Sequence, residues 1–468
     1  MTDDLRIHPG REPRPGAGDF VLYWMQGVAM RARQNPALDF AVEQANLLGL
    51  PILVYQGLRP DYPWASDRLH TFILESVTDL YVDFDGRGIQ YAFYLDRRDR
   101  AERAGRGGNG GSRSPLVQLA ERAALIVTDF FPTFIMPRQI RGLRAKVAPP
   151  VIAVDASTVV PLRYHETEYS SAAAFRPRVM AALPHYLYLL PDCEPRVRGQ
   201  VELPFEPVRP TSDEIRRLVA QCDIDHGVPP ARTIRGGSRA AEARLVRFLD
   251  YGLPRYLDRN DPNAEVTSGL SPYLHFGCIS AQEILLRARE AGPAEQFGKF
   301  QDELVTWREL SHNFVFFNPK HRTVEAIPRW ARAELAAHEG DPRPALYDDN
   351  TLEQARTGDE LWNAAQRTYL VDGWMPNYLR MLWGKAVLAW TPNAAECLRI
   401  LEHLNNKYSL DGRNPNSYAG IHWTFGKFDR PFYRRPIYGT VRYQSLKAAR
   451  DKFDVSAYIA RYQPSVGV

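Results

Sequence analysis

Short apolar runs alternate with amphipathic stretches over the first third of the chain. The apolar runs lie at residues 19–26, 51–58, 89–95, 124–131 and 151–157. They have the lengths of buried strands, and stretches with helical periodicity near 38–48, 68–82 and 116–123 separate them. Strands that alternate with helices predict a doubly wound, parallel-sheet α/β domain over residues 19–160. No GxGxxG follows the first strand, so the usual dinucleotide-binding fingerprint is absent.

The pattern becomes helical after residue 212 and stays helical to residue 462. Apolar positions recur there every three to four residues, and Ser280 with Glu283 has the spacing of a helix-starting capping box. This half is therefore predicted to be an all-α domain. Residues 161–211, rich in Pro, Tyr and Arg without clear periodicity, are predicted to be an interdomain linker. Residues 1–18 are predicted to be a disordered tail, and the Gly-rich stretch 105–114 a flexible loop.

Composition narrows the class of protein. A chain of 468 residues exceeds one ordinary hydrophobic core, which agrees with two domains. With 44% hydrophobic and 24% charged residues, and no apolar run of about 20 residues, we expect a globular protein without a membrane helix. The four cysteines have no CxxC spacing and the histidines no HExxH pattern. We therefore expect no metal site and a reducing, cytoplasmic location.

Basic and aromatic side chains alternate near the C-terminal end. Between Lys427 and Lys452, eight Lys and Arg residues outnumber two acidic ones, and five Phe and Tyr residues lie among them. Cations that bind phosphates and rings that stack on unpaired bases suit a nucleic-acid surface. The alternative is a solvated face without a partner. The pattern alone leaves both open, as does the net charge of +4.

Residues 373–423 have the most unusual composition of the chain. They contain Trp374, Trp383, Trp390 and Trp423 together with Asn377, Arg380, Asn405, Asp411, Arg413 and Asn416. A purely structural core would be built from Leu, Ile and Val. Indole can stack on a flat ring and give up an electron, whereas buried Arg and Asp need a partner or a ligand. The segment therefore predicts a pocket for a flat, anionic ring system, with flavin as the leading candidate.

The motif TSGLSPYLHFG, residues 267–277, places hydroxyl side chains and Gly269 directly before a helix. Small hydroxyl residues in that position can form a cradle for a pyrophosphate. The same composition is also that of a plain helix cap, so the motif alone does not decide.

Glu303, Trp307 and Leu310 have the i, i+4, i+7 spacing of one helix face. Glu303 is then either a buried acid that exchanges a hydrogen with a bound base or an exposed residue beside the apolar stripe. Trp383 and Trp390 are seven residues apart and so share a helix face, about 10 Å apart along the axis. Aromatic stripes with this spacing also occur in ordinary cores.

In this order the motifs resemble the photolyase/cryptochrome flavoproteins, and specifically the class II cyclobutane pyrimidine dimer (CPD) DNA photolyases. The resemblance covers nearly the whole chain, through DFVLYWMQ, EYSSAAAFRPRV, TSGLSPYLHFG, WRELSHNFVFFNP, LWNAAQ, NYLRMLWGKAVLAW, LDGRNPNSYAGIHW and the ending FGKFDRPF with YGTVRYQSLKAARDKFDVSAYI. It implies an α/β antenna-type domain joined to a helical domain that holds FAD. It implies a light-dependent repair lyase in which reduced FAD passes an electron to a dimer flipped out of UV-damaged DNA. We expect a monomer; an antenna chromophore of the deazaflavin or folate type is left open.

The resemblance also implies roles for residues of this chain. FAD contacts fall on Tyr256, Thr267, Ser268, Gly269, Leu270, Ser271, Trp307, Arg308, Asn377, Arg380, Asn405, Asp411, Arg413 and Asn416. Catalytic residues are Glu303, Met381 and Trp423, which hold the dimer, and Asn405, which faces flavin N5. The electron relay consists of Trp383, Trp362 and Trp390. DNA contacts fall on Trp307, Trp423, Arg430 and Arg442.

The sequence departs from the class pattern in three places. Class II chains commonly have DGRDPNG, whereas DGRNPNS here has Asn414 in place of an acid and Ser417 in place of a glycine. Ser417 also stands where the wider family has an Asn, so Asn405 is the class II substitute and Asn416 the second candidate. The stretch TDFFPTF at 128–134 differs from the class near the antenna domain.

Two related functions compete with dimer repair. A cryptochrome-like photoreceptor would have the same flavin and relay without repair, but the retained Glu303, Met381 and Trp423 favour repair. A (6-4) photoproduct lyase would usually need two active-site histidines, for which His275 and His422 are the candidates. Met381 at the lesion contact favours cyclobutane dimers instead.

Overall fold

The computed structural model describes residues 2–8, 10, 18–98 and 114–463. Its sheet contains β1 (Ile7–His8), β2 (Phe20–Trp24), β3 (Ile52–Leu58), β4 (Gln90–Leu95), β5 (Ala123–Phe130) and β6 (Val151–Asp155). The spatial order is β1-β6-β5-β2-β3-β4, with β1 antiparallel to β6 and every other pair parallel. The predicted parallel α/β fold is therefore confirmed.

Helices cover both faces of this sheet. They are α1 (Pro36–Leu48), α2 (Asp67–Arg87), α3 (Pro115–Arg122) and α4 (Met136–Arg144). Strands β2 and β6 are buried at every position because both of their faces pack against helices, and this explains their continuous apolar sequences. Asn35 caps the start of α1, and Gly49, with a φ of 64°, ends it in the left-handed conformation.

The second half of the chain is largely helical, as predicted. Its α-helices are α5 (Ala172–Tyr186), α6 (Ile215–Ala220), α7 (Ser238–Arg247), α8 (Ser271–Phe276), α9 (Ala281–Ala291), α10 (Ala294–Gln301), α11 (Arg308–Phe317), α12 (Arg329–Ala337), α13 (Asp349–Glu353), α14 (Glu360–Asp372), α15 (Asn377–Ala389), α16 (Ala394–Tyr408), α17 (Pro415–Thr424), α18 (Leu446–Lys452) and α19 (Ser456–Arg461). Two π-helical segments, Phe248–Gly252 and Asp302–Trp307, and a 3-10 helix, Leu253–Asp258, interrupt them. The Ser280 hydroxyl accepts the N–H of Glu283 and caps α9, as its spacing predicted. No helix within the described ranges is both long and apolar enough to cross a membrane.

The prediction of a disordered tail is wrong for residues 4–8. Asp4–Arg6 forms a 3-10 turn that leads into β1, and the Arg6 side chain is buried. Its guanidinium donates to the carbonyls of Asp155 at 3.2 Å, Thr158 at 2.9 Å and Val159 at 2.6 Å. The prediction failed because hydrogen bonds of a buried charged side chain, which no apolar pattern marks, help to attach this segment to the sheet. Residues 1, 9 and 11–17 of the predicted tail, and 105–113 of the predicted loop, lie outside the described residues.

The predicted interdomain linker, residues 161–211, contains an α-helix. Helix α5 begins after Ser171, whose hydroxyl accepts the N–H of Ala174, and it continues through Pro177 and Pro184. Its buried side chains include Phe175, Val179, Ala182 and Leu183, which have helical spacing. The two prolines concealed this periodicity in the sequence.

A buried arginine of the α/β half contacts backbone of the helical half. The Arg68 guanidinium, on α2, donates to the carbonyls of Pro229 at 3.0 Å, Tyr369 at 2.6 Å, Leu370 at 2.6 Å and Tyr408 at 2.7 Å. Buried carbonyls and a buried cation satisfy one another here, and neither half of the chain alone supplies both.

A carboxylate makes the reciprocal contact. Glu309, on α11, is buried and accepts the backbone N–H groups of Val159 and Val160 in the loop after β6. Beside it, Arg308 donates to the carbonyl of Ser157 at 2.6 Å. The junction between the two halves therefore contains charged groups that were removed from water on folding.

Glu309 gives the protein a testable pH dependence. Burial raises the pKa of Glu309 from 4.5 to about 7, although Arg308 and the two N–H donors favour its charged form. Because the pKa of Glu309 is higher in the folded than in the unfolded state, the protonated side chain contributes to the stability of the fold. This contribution is complete below pH ~4.5 and is lost as the pH rises through about 7. Over that window we expect the free energy of unfolding to fall by up to about 3 kcal/mol more in the native protein than in a Glu309→Gln variant. Urea denaturation near pH ~5 and ~8 measures this difference, and the same pH dependence in both proteins would contradict it.

Candidate functional site

A buried ion pair lies between the first turn of α15 and the loop before α17. Arg380 Nη2 is 3.1 Å from both carboxylate oxygens of Asp411. The Ser409 hydroxyl also donates to this carboxylate, and the Ser271 hydroxyl favours its charged form. Burial alone would raise the pKa of Asp411, but Arg380 and the two hydroxyls hold it below its ordinary value. The carboxylate is therefore charged, and the pair places a positive and a negative charge side by side.

The hydroxyl-rich loop before α8 is adjacent to this ion pair. Ser271, the first residue of α8, accepts the indole N–H of Trp374 at 2.9 Å, and its hydroxyl also favours the charged form of Asp411. Gly269 has a φ of 62°, a left-handed conformation that favours glycine, and a Cβ there would lie 2.3 Å from the Arg244 guanidinium. Arg244 in turn donates to the carbonyl of Ser268 at 2.7 Å. The loop is thus held by Arg244 on one side and by Trp374 on the other.

Tyr369, on α14, connects the ion pair to the tryptophans. The Arg380 guanidinium lies 5.5 Å from the centre of the Tyr369 ring, and the Tyr369 hydroxyl donates to Asn405 Oδ1 at 3.2 Å. On its other side, the Tyr369 ring is 5.7 Å from the ring of Trp383. Asn405, Arg380, Asp411 and Trp383 are therefore parts of one contact network.

Three tryptophans form a continuous chain of ring contacts from this network toward the surface. Trp383 and Trp362 are both buried and nearly parallel, with ring centres 6.3 Å apart and an angle of 8° between the planes. Trp362 also contacts the half-buried Trp390 at 5.5 Å. Trp390 directly follows α15 and lies on the same side as Trp383, as their spacing predicted, and Trp362 on α14 contacts both. Beyond them, Tyr347 contacts the ring of Trp390 at 5.2 Å.

Glu303 lies in the π-helical segment Asp302–Trp307, and neither of its two predicted settings is found. It is half-buried and paired with Lys299 at 2.7 Å and with Arg259 at 3.5 Å. The π-turn changes the angular offset between residues 303 and 310, so the α-helical spacing did not give the correct face. Arg259 also lies 5.5 Å from the ring centre of the buried Tyr256, which places Tyr256 and Glu303 around one cation.

Trp423 lies near the end of α17 between two cations. Lys385 Nζ is 4.9 Å from its ring and the Arg442 guanidinium is 5.8 Å from it. Met381 is half-buried one helical turn before Lys385 on α15. Arg442 pairs with Asp429 at 2.9 Å, whereas Arg430 is exposed. The structure therefore brings Trp423 and Arg442 together.

Other predicted cofactor contacts have internal partners. The Arg413 guanidinium donates to the carbonyls of Asn406, Ser409 and Leu410, and Arg308 donates to Ser157 at the junction described above. These contacts support structural roles for both arginines. Asn377 is exposed at the start of α15. Thr267 and Leu270 lie in the loop before α8, Trp307 lies in the π-helical segment, and Asn416 lies in α17.

Two of the three departures from the class pattern have local explanations. Asn414 Oδ1 accepts the N–H of Asn416 and caps α17, which asparagine does as well as aspartate. Its side-chain amide lies 3.3 Å from the neutral, buried His275, whose pKa is lowered to about 3 mainly by burial. The Ser417 hydroxyl donates to the carbonyl of Asp411 at 2.9 Å and so supports the ion-pair loop.

Sequence reasoning missed Tyr369, Ser409 and Arg244. Tyr369 follows Trp362 by seven residues, which places both on one face of α14, so the spacing could have identified it. Ser409 and Arg244 are ordinary residue types in ordinary contexts, and no pattern marks them.

Comparison with known proteins decides the family. No family model matches the chain. A deoxyribodipyrimidine photo-lyase of Methanothermobacter thermautotrophicus is 35% identical over 464 residues, which cover 98% of this chain and 98% of that protein. The chain belongs to the photolyase/cryptochrome family. The deoxyribodipyrimidine photo-lyase of Arabidopsis thaliana is 32% identical and covers 100% of this chain and 95% of that protein.

A solved structure confirms the photolyase/cryptochrome fold independently. The crystal structure of a bacterial class III photolyase from Agrobacterium tumefaciens superposes with a TM-score of 0.66 over 97% of this chain and 88% of that chain. The two sequences are only 18% identical, so this similarity establishes the fold alone.

Membership in the photolyase/cryptochrome family implies FAD, and the residues at this site fit it. Arg380 Nε is buried and has no hydrogen-bond partner within the described part of the chain, so one donor of the ion-paired guanidinium is left for a ligand. The hydroxyls and the left-handed Gly269 of the loop before α8 suit phosphate oxygens. A charged pair beside a hydroxyl-rich loop matches a ligand with a polar ring at one end and phosphates in its middle.

Proposed function

We propose that this protein is a class II photolyase that splits cyclobutane pyrimidine dimers in UV-damaged DNA with light. The proposal rests on one arrangement, the buried Arg380–Asp411 pair that Tyr369 connects to the Trp383, Trp362 and Trp390 chain. Full-length similarity to an archaeal and a plant deoxyribodipyrimidine photo-lyase supports it.

In this proposal each group of residues has a separate task. Ser271, Ser268 and Thr267 would bind the phosphates of FAD, and Arg380, Asp411 and Asn405 would orient its ring. Reduced FAD supplies, when bound, the photoexcited electron that opens the cyclobutane ring. Glu303, Met381 and Trp423 would hold the flipped dinucleotide and exclude water from it, and a lesion costs less to flip because its pairing is already weakened.

The tryptophan chain has a different task, the supply of electrons from outside. Its inner members are buried and its outer member, Trp390, reaches the surface, so it connects the interior to external reductants. Indoles in direct ring contact need no large movement to exchange an electron. The chain would restore the reduced cofactor and take no part in dimer splitting itself.

The basic C-terminal segment is less charged toward solvent than its sequence indicates. Five of its eight cations have acidic partners: Lys427 with Glu168, Arg434 with Glu334, Arg442 with Asp429, Lys447 with Asp451 and Arg450 with Asp359. Arg430 and Arg435 have no ion-pair partner among the residues described, and Tyr433 beside them is 92% exposed. These three residues form the surface that we propose to contact DNA first.

Arg430 should contribute to DNA binding through its charge alone. In an Arg430→Ala variant we expect binding to weaken by a similar factor for damaged and undamaged duplexes, and the dependence of log K on log salt to fall by about one. Arg434→Ala is the matched control, because Arg434 is exposed but already paired with Glu334. Fluorescence anisotropy over a salt series measures both. A change in the preference for damaged DNA, or the same slope as the native protein, would contradict a phosphate contact.

The decisive test is repair under illumination. Purified protein with reduced FAD is mixed with an oligonucleotide that carries one thymine dimer, and in parallel with one that carries a (6-4) photoproduct. We expect light-dependent restoration of the first substrate only. Turnover in the dark, repair of the second substrate only, or no repair of either would each overturn the proposal.

A further inference from the structure

Lys385 is a fully buried cation in a position where packing alone would favour an apolar residue. It lies on α15, and its Nζ donates to the carbonyl of Thr424 at 2.8 Å. Nearby, the Tyr438 hydroxyl donates to the backbone carbonyl of Lys385 at 2.7 Å. An ammonium carries three donors, and burying one costs free energy unless its charge is compensated. A residue kept there at such a cost indicates a role beyond packing.

The Arg442–Asp429 pair lies near Lys385, because Arg442 and Lys385 both contact the ring of Trp423. The Asp429 side chain is only 7% exposed, and its Oδ2 is buried without a hydrogen-bond partner among the described residues. Arg442 itself is 38% exposed and lies 4.5 Å from the ring centre of Phe432. Asp429 therefore has one oxygen on Arg442 and a second oxygen available, while Lys385 has donors beyond the one that Thr424 accepts.

This pair presents a problem for any contact between Arg442 and a DNA phosphate. A phosphate that draws the guanidinium outward leaves the Asp429 carboxylate buried and uncompensated, which is strongly unfavourable. Burial lowers the pKa of Lys385 to about 7; the negative charge of Asp429 raises this pKa, and the positive charge of Arg442 lowers it further. Removal of Arg442 would leave Lys385 as the nearby cation, with its proton bound more firmly.

We propose that Lys385 is a positioning residue for DNA binding, which neutralises Asp429 when a phosphate takes Arg442. The proposal rests on the proposed function, because it needs Arg442 to contact DNA. The same ammonium lies over Trp423, so the exchange of partners links the phosphate contact to the residue that faces the lesion. Lys385 itself touches neither DNA nor the reacting atoms.

The test is a double-mutant cycle read as DNA affinity in the dark. Lys385→Met removes the cation and keeps the length of the side chain, and Asp429→Asn removes the charge that needs it. Lys447→Met is the matched control, because it removes an exposed cation of the same segment that is paired with Asp451. Anisotropy titrations of a duplex with one thymine dimer, over a salt series, give the affinity and the salt slope of each protein.

We expect Lys385→Met to weaken binding about tenfold and to lower the salt slope by about one, because Arg442 then stays on Asp429. Adding Asp429→Asn should restore both values, and Lys447→Met should change affinity by less than about threefold. A loss of affinity in Lys385→Met that Asp429→Asn does not restore would show a merely structural role and overturn the proposal.

The single Asp429→Asn variant gives a second measurement, should Lys385→Met fail to fold. It should bind more tightly than the native protein, because its Arg442 is released.

Two outcomes separate this inference from the proposed function. Native affinity in Lys385→Met, with normal binding by the native protein, overturns the role of Lys385 alone. A native protein that binds no DNA overturns both.

Discussion

The Asp411→Asn variant is expected to lose about 3 kcal/mol of unfolding free energy. It leaves the Arg380 guanidinium, which is mostly buried, without the carboxylate that compensates it, and uncompensated buried charges are costly. The Ser409 hydroxyl also loses its charged acceptor. Urea denaturation of the protein without cofactor measures the change at a fixed pH.

A double variant serves as the control for this prediction. Replacing Arg380 by Met together with Asp411→Asn removes both charges, so we expect it to recover most of the lost stability. Neither variant should retain flavin after gel filtration, because both lack the ion pair that would orient the ring. Native stability and a full complement of flavin in Asp411→Asn would show that the pair is unimportant at this site.

Loss of the innermost tryptophan should have the largest effect on light-driven reduction. We expect Trp383→Phe to slow reduction of the bound flavin about a hundredfold, or about 2.7 kcal/mol on the barrier, because it separates Trp362 from the site. The bleaching of flavin absorption under constant light, with a thiol as reductant, measures this rate. Repair by protein whose flavin was reduced chemically beforehand should be unchanged within about twofold.

Trp330→Phe is the matched control, since Trp330 packs against the same helical core but outside the three-ring chain. It should reduce at the native rate. Slow reduction in both variants would indicate a general loss of packing, and fast reduction in both would mean that electrons reach the site by another route.

Much of the fold could be predicted because burial and residue type agree. Strands β2 and β6 are buried on both faces and so appear as continuous apolar runs, and helices such as α15 keep one apolar face. The segments that escaped prediction are those whose sequences do not show a clear apolar pattern. Arg6 attaches β1 to the sheet through carbonyls, and the prolines of α5 obscure its period.

The site was less predictable from the sequence for a related reason. Residue types with unusual chemistry, such as the tryptophans and the Arg380–Asp411 pair, stand out in a helical segment. Residues that connect them, such as Tyr369 and Ser409, do so through distances that only the folded chain defines. Arg413, which was predicted to bind the ligand, donates to the backbone of its own loop, and the sequence gives no sign of that contact.

The contacts of Arg68 and Glu309 determine how the molecule can be dissected. Each is a charged side chain of one half whose hydrogen-bond partners are backbone groups of the other. A truncated gene that encodes only the helical half would expose the carbonyls that Arg68 covers and leave Glu309 without its N–H donors. Fragments cut near residue 211 are therefore poor starting material for crystallisation or spectroscopy, and two halves produced in one cell should associate rather than remain apart.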